Sequence, residues 1–283
     1  GALADDARRE LRAKGIFYFD NFEDALRVLV LLAEFDRQPG VIEAEARRPA
    51  DLPSRPDFRH VAAGPQTEGE VKALLAAYGV PTAKEIFAET PQAVGDAAEK
   101  LGFPIVLKAS SRDIIHKSDV GAVRIGITER QTAIDAASEM LKSLEKEQPA
   151  ARVAGFSVQE MVRGEAEVII GVRRDPQFGP LVIVGLGGTA VEIIGDVAVA
   201  SAPVSQARVR KMIDSLATAA LFKGARGKPP LDIDAIASAV ERMSWLAQDL
   251  GPRLLDLEVN PLIVGAKGQG AVAVDGRANI DAA

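Results

Sequence analysis

The sequence predicts an α/β (α+β) protein in four parts: a short helical and strand-like piece, a linker, a mixed α/β lobe, and a second lobe built on an antiparallel-looking sheet. Three observations carry that expectation. Pro39, Pro49, Pro53, Pro56 and Pro65 break the chain between residues 37 and 66, amid scattered charge and little periodicity. Helix and strand patterns alternate from Thr67 to about Glu147. Strand patterns dominate from Phe156 onward, divided by turn-forming groups at Asp175-Pro176 and Phe178-Gly179-Pro180. The resulting boundaries are 1–38, 39–65 (the linker), 66–155 and 156–283. Two lobes predict a ligand in the cleft between them.

In chain order, residues 5–14 read as a polar helix ended by Gly15, and Ile16-Phe17-Tyr18-Phe19 as a strand-like run. Asn21 caps a helix from Phe22 to about Phe35, with Ala25, Leu26, Leu29, Val30 and Ala33 on one face. Thr67 and Glu70 form a capping box for a helix that buries Val71, Leu74, Leu75 and Tyr78 and closes at Gly79. Thr90-Pro91 starts the next helix and Gly102 stops it. Residues 104–109 and 123–127 read as strands, and Thr128 with Gln131 as a second capping box for a helix to about Glu147. Strands follow at 156–161, 167–172 and 181–184, helices at 205–221 and 233–250, and strands at 255–259 and 271–275.

Composition narrows the function classes. Over 283 residues, 34 basic and 40 acidic side chains give a net charge of −6, which argues against a nucleic-acid partner but leaves room for a local phosphate pocket. Cysteine is absent, which excludes disulfides, thiolate metal sites and a Cys nucleophile. A reducing cytoplasm fits. The apolar stretch from Ala25 to Phe35 is broken by Arg27 and Glu34 and is too short to span a membrane. The opening Gly1-Ala2-Leu3-Ala4-Asp5-Asp6 lacks a basic n-region and starts with Gly, so a processed product or a piece of something longer is expected.

Several residues can carry chemistry. Lys108 ends an apolar strand, where an ammonium can neutralise phosphate; the alternative is a lysine snorkelling from a sheet edge. The polar loop 110–121 is long for a strand connection and holds His116, a candidate general base, metal ligand or phosphoryl acceptor, or a loop histidine with no task. His60, in the linker, reads as solvent-exposed. At Glu160-Met161 a strand-edge backbone could meet an adenine, with Glu167 on ribose hydroxyls; the alternative is a solvated strand-end acid. Gly185-Leu186-Gly187-Gly188 allows close backbone approach to a ligand, or simply a tight turn. Glu258 and Asn260 project to one strand face, and Asp275 on the neighbouring strand completes an oxygen-only set. Such hard donors suit Mg²⁺ bridging to substrate phosphate; otherwise these residues must face solvent.

These pieces, in order, resemble the ATP-grasp portion of the NDP-forming acyl-CoA synthetases, related to the succinyl-CoA synthetase beta subunit. The matching motifs are Leu107-Lys108-Ala109-Ser110-Ser111, His116-Lys117-Ser118-Asp119-Val120-Gly121, Gln159-Glu160-Met161, residues 174–180, residues 185–188, Gly224-Ala225-Arg226-Gly227, Glu258-Val259-Asn260-Pro261-Leu262 and Ala273-Val274-Asp275. They cover about residues 66–281, and the ordered set is far more specific than any one motif.

The resemblance implies a two-lobed ATP-grasp fold preceded by the tail of a flavodoxin-like CoA-ligase module (residues 1–38) and a linker. It implies an acid–CoA ligase (ADP-forming) that interconverts acyl-CoA, ADP and phosphate with acid, CoA and ATP through a phosphohistidine relay. By the same resemblance Lys108 and Gly121 meet the nucleotide phosphates, Glu160 and Met161 the adenine, and Glu167 the ribose. Asn260 and Asp275 hold Mg²⁺, Glu258 steadies a visiting phosphohistidine, and His116 is the second relay histidine. The expected partner is a CoA-ligase module, on the same or a separate chain, without which the chain is inactive; an oligomer is expected, with no membrane or nucleic acid. Two departures stand out. Ala122 follows Gly121 where the family usually has a second glycine, and Ala200 stands where an arginine is common. Ala200 favours two rival readings, a nucleotide-sensing module of a protein acetyltransferase and an inactive structural subunit. The intact Lys108, His116, Asn260 and Asp275 favour the enzyme.

Overall fold

The computed structural model describes residues 5–16, 18–19, 21–36, 46–54, 57–111, 113–114, 120–187, 195–225 and 227–282. The chain divides into two units, Gly1–Ala46 and Arg47–Ala283.

The first unit holds α1 (Asp5–Ala13) and α2 (Phe22–Asp36). Asn21 caps α2 as expected, its Oδ1 accepting from the Asp24 backbone at 2.8 Å. Ile16, Tyr18 and Phe19 do not form the expected strand. A strand is stabilised by its ladder, and among the described residues of this unit there is no second strand to supply one.

The second unit begins inside the stretch expected to be linker. Arg48 donates to both carboxylate oxygens of Asp249 at 2.9 and 2.6 Å, and its guanidinium lies 5.3 Å from the Trp245 ring centre. Leu52 and Val61 are buried in the main core, and Asp51 pairs with Arg242 at 2.6 Å. Proline content hid this anchoring, because the contacts are isolated and lie about two hundred residues away in sequence.

Two antiparallel sheets build this unit. The larger has the order β1-β11-β9-β6-β7-β8, with β10 also on β9. Its strands are β1 (Gly64–Pro65), β6 (Ala166–Asp175), β7 (Gly179–Leu186), β8 (Val197–Ser201), β9 (Leu254–Val264), β10 (Ala271–Ala273) and β11 (Gly276–Ile280). The smaller has the order β2-β5-β3-β4, from β2 (Glu85–Ala88), β3 (Ile105–Ser110), β4 (Val123–Ile127) and β5 (Gly155–Glu160).

Each sheet buries one face under helices. In β3 and β5, Ile105, Leu107, Ala109, Phe156 and Val158 pack against Val94 and Ala98 of α4 (Pro91–Leu101) and Ala137, Met140 and Leu144 of α5 (Arg130–Glu147). On the large sheet, Val168, Ile170, Val182, Val184, Leu257 and Val259 share a core with α3 (Glu68–Ala77), α6 (Gln206–Asp214) and α8 (Ile233–Leu250). The α8 stripe Ile236, Val240, Met243, Ala247 and Leu250 is spaced for one helix face, and each large member contributes about 1.5–3 kcal/mol by burial.

The lobes are therefore not divided at residue 155. Strand β5 completes the small sheet, whereas α3 packs on the large one. The small lobe is an insertion, entered through residues 78–84 and left through 161–165.

Other local expectations hold or fail for identifiable reasons. The Thr67/Glu70 capping box and the Thr90 cap with Pro91 are present. The Thr128/Gln131 box is not: α5 starts one residue later, its N-cap Glu129 makes no side-chain cap, and Gln131 instead bonds Asp135 at 2.9 Å. The helix expected at 205–221 is two, α6 and α7 (Ala219–Phe222). Between them the Asp196 carboxylate accepts from the backbone N–H groups of Ala217 and Thr218 and from the Thr218 hydroxyl, which holds Asp196 below the usual carboxylate range. Strand β9 runs on through Pro261, which sits where pairing passes from β11, ending at Val259, to β10, beginning at Leu262.

Candidate functional site

Lys108 is the fourth residue of β3, paired with Val123 on one side and Ser157 on the other. It does not emerge at a strand end. Alternation places it on the face opposite Leu107 and Ala109, with Ser157 and Gln159 of β5 and Glu85 of β2 on the same face. That face meets the large lobe, and Lys108 is only 5% exposed.

Its ammonium spans the two lobes. Nζ donates to Glu68 Oε1 of α3 at 2.7 Å and to the Val274 carbonyl at 2.7 Å, and stands 3.5 Å from Asp275 Oδ2. Glu68 Oε1 also accepts from Lys72 Nζ at 2.8 Å. Lys72 in turn donates to Glu85 Oε2 at 2.8 Å and Gln159 Oε1 at 2.6 Å, and Ser157 Oγ donates to Glu85 Oε2 at 2.9 Å. Two buried lysines are thus interleaved with carboxylates, the arrangement that makes buried charge tolerable. Sequence reading missed Glu68, Lys72 and Glu85. The available signal was that Glu68 and Lys72 share a helix face with Val71 and Leu75.

Asp275 lies in the turn from β10 to β11 rather than on a strand, and its carbonyl accepts from the Asn260 N–H at 3.2 Å. Asn260 and Glu258 project from the face of β9 opposite buried Leu257 and Val259. The Asn260 amide and the Asp275 carboxylate, both reachable by solvent, are hard-oxygen donors of the kind that suits Mg²⁺ completed by water and substrate phosphate. Among the described residues no cluster of three or more His, Asp or Glu is arranged to hold a metal by itself. Glu258 is engaged by Arg277, whose Nη2 donates at 2.9 Å.

Glu160 ends β5 where the chain leaves the small lobe. Its N–H donates to the Lys84 carbonyl at 3.0 Å and its Oε1 accepts from the Lys84 N–H at 2.9 Å, so one residue staples the two segments that join the lobes. The Met161 N–H donates to the Pro104 carbonyl at 3.3 Å. Glu167 is exposed near the start of β6, and its carbonyl accepts from the Gly187 N–H at 2.7 Å. Lys108, Asn260, Asp275 and the Glu160–Met161 crossing therefore all lie where the lobes meet.

Gly121 adopts φ +67° in the turn before β4, and its carbonyl accepts from Arg124 Nη1 at 2.9 Å. Ala122 is fully buried, its methyl part of the small-lobe core. Ala200 also differs from expectation. It is the register partner of buried Val182 and packs on the helix-covered side of the large sheet. An arginine there would enter the core, and the neighbouring outward position on β8 is Val199. Gly185 has a structural reason of its own, since a Cβ would lie 2.7 Å from the Asp196 carbonyl oxygen. His116, Gly188 and Arg226 lie outside the described residues. Among the described residues no helix is long and apolar enough to cross a membrane.

Comparison with known proteins identifies the family. A family model described as an ATP-grasp domain matches residues 62–280. The chain is 34% identical over 281 residues to the acetate–CoA ligase [ADP-forming] I of Archaeoglobus fulgidus, covering 96% of this chain and 40% of that one. It is 38% identical over 210 residues to the acetate–CoA ligase [ADP-forming] II subunit beta of Pyrococcus furiosus, covering 74% of this chain and 89% of the relative. The dinucleotide-forming acetyl-coenzyme A synthetase 1 of Ca. Korarchaeum cryptofilum, solved with coenzyme A and Ca-AMPCP, superposes with TM-score 0.75 at 33% identity, covering 79% of this chain and 96% of that one. The same synthetase was solved with coenzyme A and Mg-AMPPCP, its phosphohistidine segment pointing towards the nucleotide binding site (TM-score 0.66, 32% identity, covering 77% of this chain and 93% of that one). The chain spans about 40% of the length of the first of these relatives and most of the beta subunit. With its two antiparallel sheets and inserted small lobe, the chain belongs to the ATP-grasp family, in the branch of the ADP-forming acid–CoA ligases and their beta subunits.

Proposed function

We propose that this chain is the nucleotide-binding half of an acyl-CoA synthetase that interconverts acyl-CoA, ADP and phosphate with acid, CoA and ATP. The observation that carries the reading is the Lys108 ammonium, buried between the lobes and facing Asp275 beside Asn260. Phosphoryl transfer is mostly positioning and charge neutralisation. Lys108 supplies a fixed positive charge for nucleotide phosphates. Asn260 and Asp275 would hold Mg²⁺, which neutralises phosphate charge when bound. The crossing at Glu160–Met161 receives the base, with Glu167 on the ribose and the Gly121 turn facing the phosphates. The phosphoryl group travels on histidine: a CoA-ligase module or subunit brings one, His116 takes it within this chain, and Glu258 steadies the imidazolium. One relative is a ligase of which this chain covers 40% and another is a beta subunit, which supports a partner module or subunit carrying the CoA site.

Calorimetric titration of the chain with ATP or ADP, with and without Mg²⁺, tests the assignment. Lys108→Met is expected to weaken Mg-ATP about tenfold or more, the loss of a charge-assisted contact. Equal affinity of wild type and variant removes Lys108 from the site. For the relay, ATP-dependent acyl-CoA formation is expected only when the chain is mixed with a CoA-ligase module, and His116→Ala is expected to abolish it while sparing nucleotide binding.

A further inference from the structure

An ammonium has three N–H donors. On Lys108 two are committed at 2.7 Å, to Glu68 Oε1 and the Val274 carbonyl, while the third faces Asp275 at a loose 3.5 Å. The lysine side chain has four rotatable bonds and would otherwise sample many directions. Its direction is therefore set by two fixed acceptors, of which only Glu68 carries charge.

Glu68 is itself held. Its side chain is 4% exposed, and Lys72, 5% exposed, donates to the same oxygen that receives Lys108. Lys72 is anchored through Glu85 and Gln159 on two strands of the small sheet. The chain of contacts from Gln159 through Lys72 and Glu68 to Lys108 leaves the small sheet, passes through α3 and returns to it. The cost of burying Lys72 and Glu68 is offset by their ion pair and by the bonds to Lys108, Glu85 and Gln159, so the set holds together as one unit.

We infer that Glu68 is a positioning residue for phosphate binding: it fixes the Lys108 ammonium so that the third N–H points to the Asp275 side, where a nucleotide phosphate is received. Lys72 holds Glu68 from behind. This rests on the assignment of Lys108 to the phosphates, and the test separates the two.

The measurement is the affinity of the full chain for Mg-ATP and for adenosine, by calorimetry, beside thermal melts. Glu68→Gln, which keeps shape and removes charge, is expected to weaken Mg-ATP about tenfold and to leave adenosine within about twofold. Loss of both ligands alike means that Glu68 only supports the fold. Unchanged or tighter ATP binding means that Glu68 does not position Lys108 or competes with phosphate for it. Each result overturns the inference. If Glu68→Gln does not fold, Lys72→Gln is expected to give a smaller loss, about two- to fivefold, again confined to ATP, and its absence is equally decisive. If Lys108→Met leaves ATP binding intact, the phosphate assignment fails first. If Lys108→Met weakens ATP and Glu68→Gln does not, only the positioning role fails.

Discussion

Arg277 on β11 and Glu258 on β9 are direct register partners, and Arg277 Nη2 donates to Glu258 Oε2 at 2.9 Å on the face of the sheet away from the helices. The arginine side chain is 57% exposed, so the pair contributes at most about 1 kcal/mol to stability. Its effect is on direction, because it holds the Glu258 carboxylate over the open sheet face. Glu258→Gln is expected to leave the melt within about 1 kcal/mol of wild type. In an assay with the CoA-ligase module, it is expected to lower turnover on the order of 100-fold. Turnover within threefold of wild type rules Glu258 out of the relay.

Position 200 offers a test of sheet alternation. Ala200 faces the helix-covered core beside Val182, so Ala200→Arg is expected to destabilise by about 1–3 kcal/mol through overpacking and to bring no gain in phosphoryl transfer. Val199, 51% exposed, faces outward, and Val199→Arg is expected to melt within about 0.5 kcal/mol of wild type. Denaturant unfolding of both variants checks the contrast; a stable Ala200→Arg protein with faster transfer would reverse it.

Asp256 lies on the same face as Glu258, and partial burial raises its carboxyl above the usual range, although Arg277 and Arg173 pull it back down. A carboxyl raised in the folded state contributes stability that is full below the unfolded value near 3.8 and is lost as pH rises through the folded value. Asp256→Asn is therefore expected to raise the melting temperature at pH 7, with the advantage shrinking to nothing toward pH 3.8 and below. Melts across that range decide it: an Asn variant less stable at neutral pH than wild type would show that the two arginines dominate.

The segment 47–61 belongs to the second unit by its contacts, and truncation makes this measurable. A polypeptide of residues 47–283 is expected to melt as one unit. One beginning at residue 62 loses the Arg48–Asp249 and Asp51–Arg242 pairs and buried Leu52 and Val61, a cost on the order of 5 kcal/mol. Equal melting temperatures would return the segment to the status of a linker.

What the sequence revealed was local chemistry. The Thr67/Glu70 box, the Thr90-Pro91 start and the α8 stripe are written within a few residues and survive in the fold. Lys108, Asn260 and Asp275 could be singled out because unusual residue types interrupt strand patterns. For the Glu68–Lys72–Glu85 set only the helix-face spacing of Glu68 and Lys72 was visible; its partner Glu85 was not, because that depends on which strands face α3, settled by pairings such as Lys108 with Ser157. The lobe boundary was hidden for the same reason: Phe156–Met161 reads as a strand, but nothing local says which sheet it joins. Strand β8 was missed because Val197–Ser201 is short and alternates only valine with alanine.

The insertion of one lobe within the other has a consequence for biosynthesis. Among the described residues, 85–160 contain every strand of the small sheet, so that lobe can fold while the chain is still being made. The large lobe cannot. Its first strand pairs with its last, Gly64 with Ile280, and α3 packs against strands made some two hundred residues later. Until β11 leaves the ribosome, the apolar face of α3 has no sheet to cover. Closure must span nearly the whole unit, and long-range pairing of this kind is slow. The nascent chain thus passes through a stage with a finished small lobe and an unfinished large one. Protease resistance during synthesis is expected to appear first in residues 85–160 and to reach α3 only after β11 has emerged.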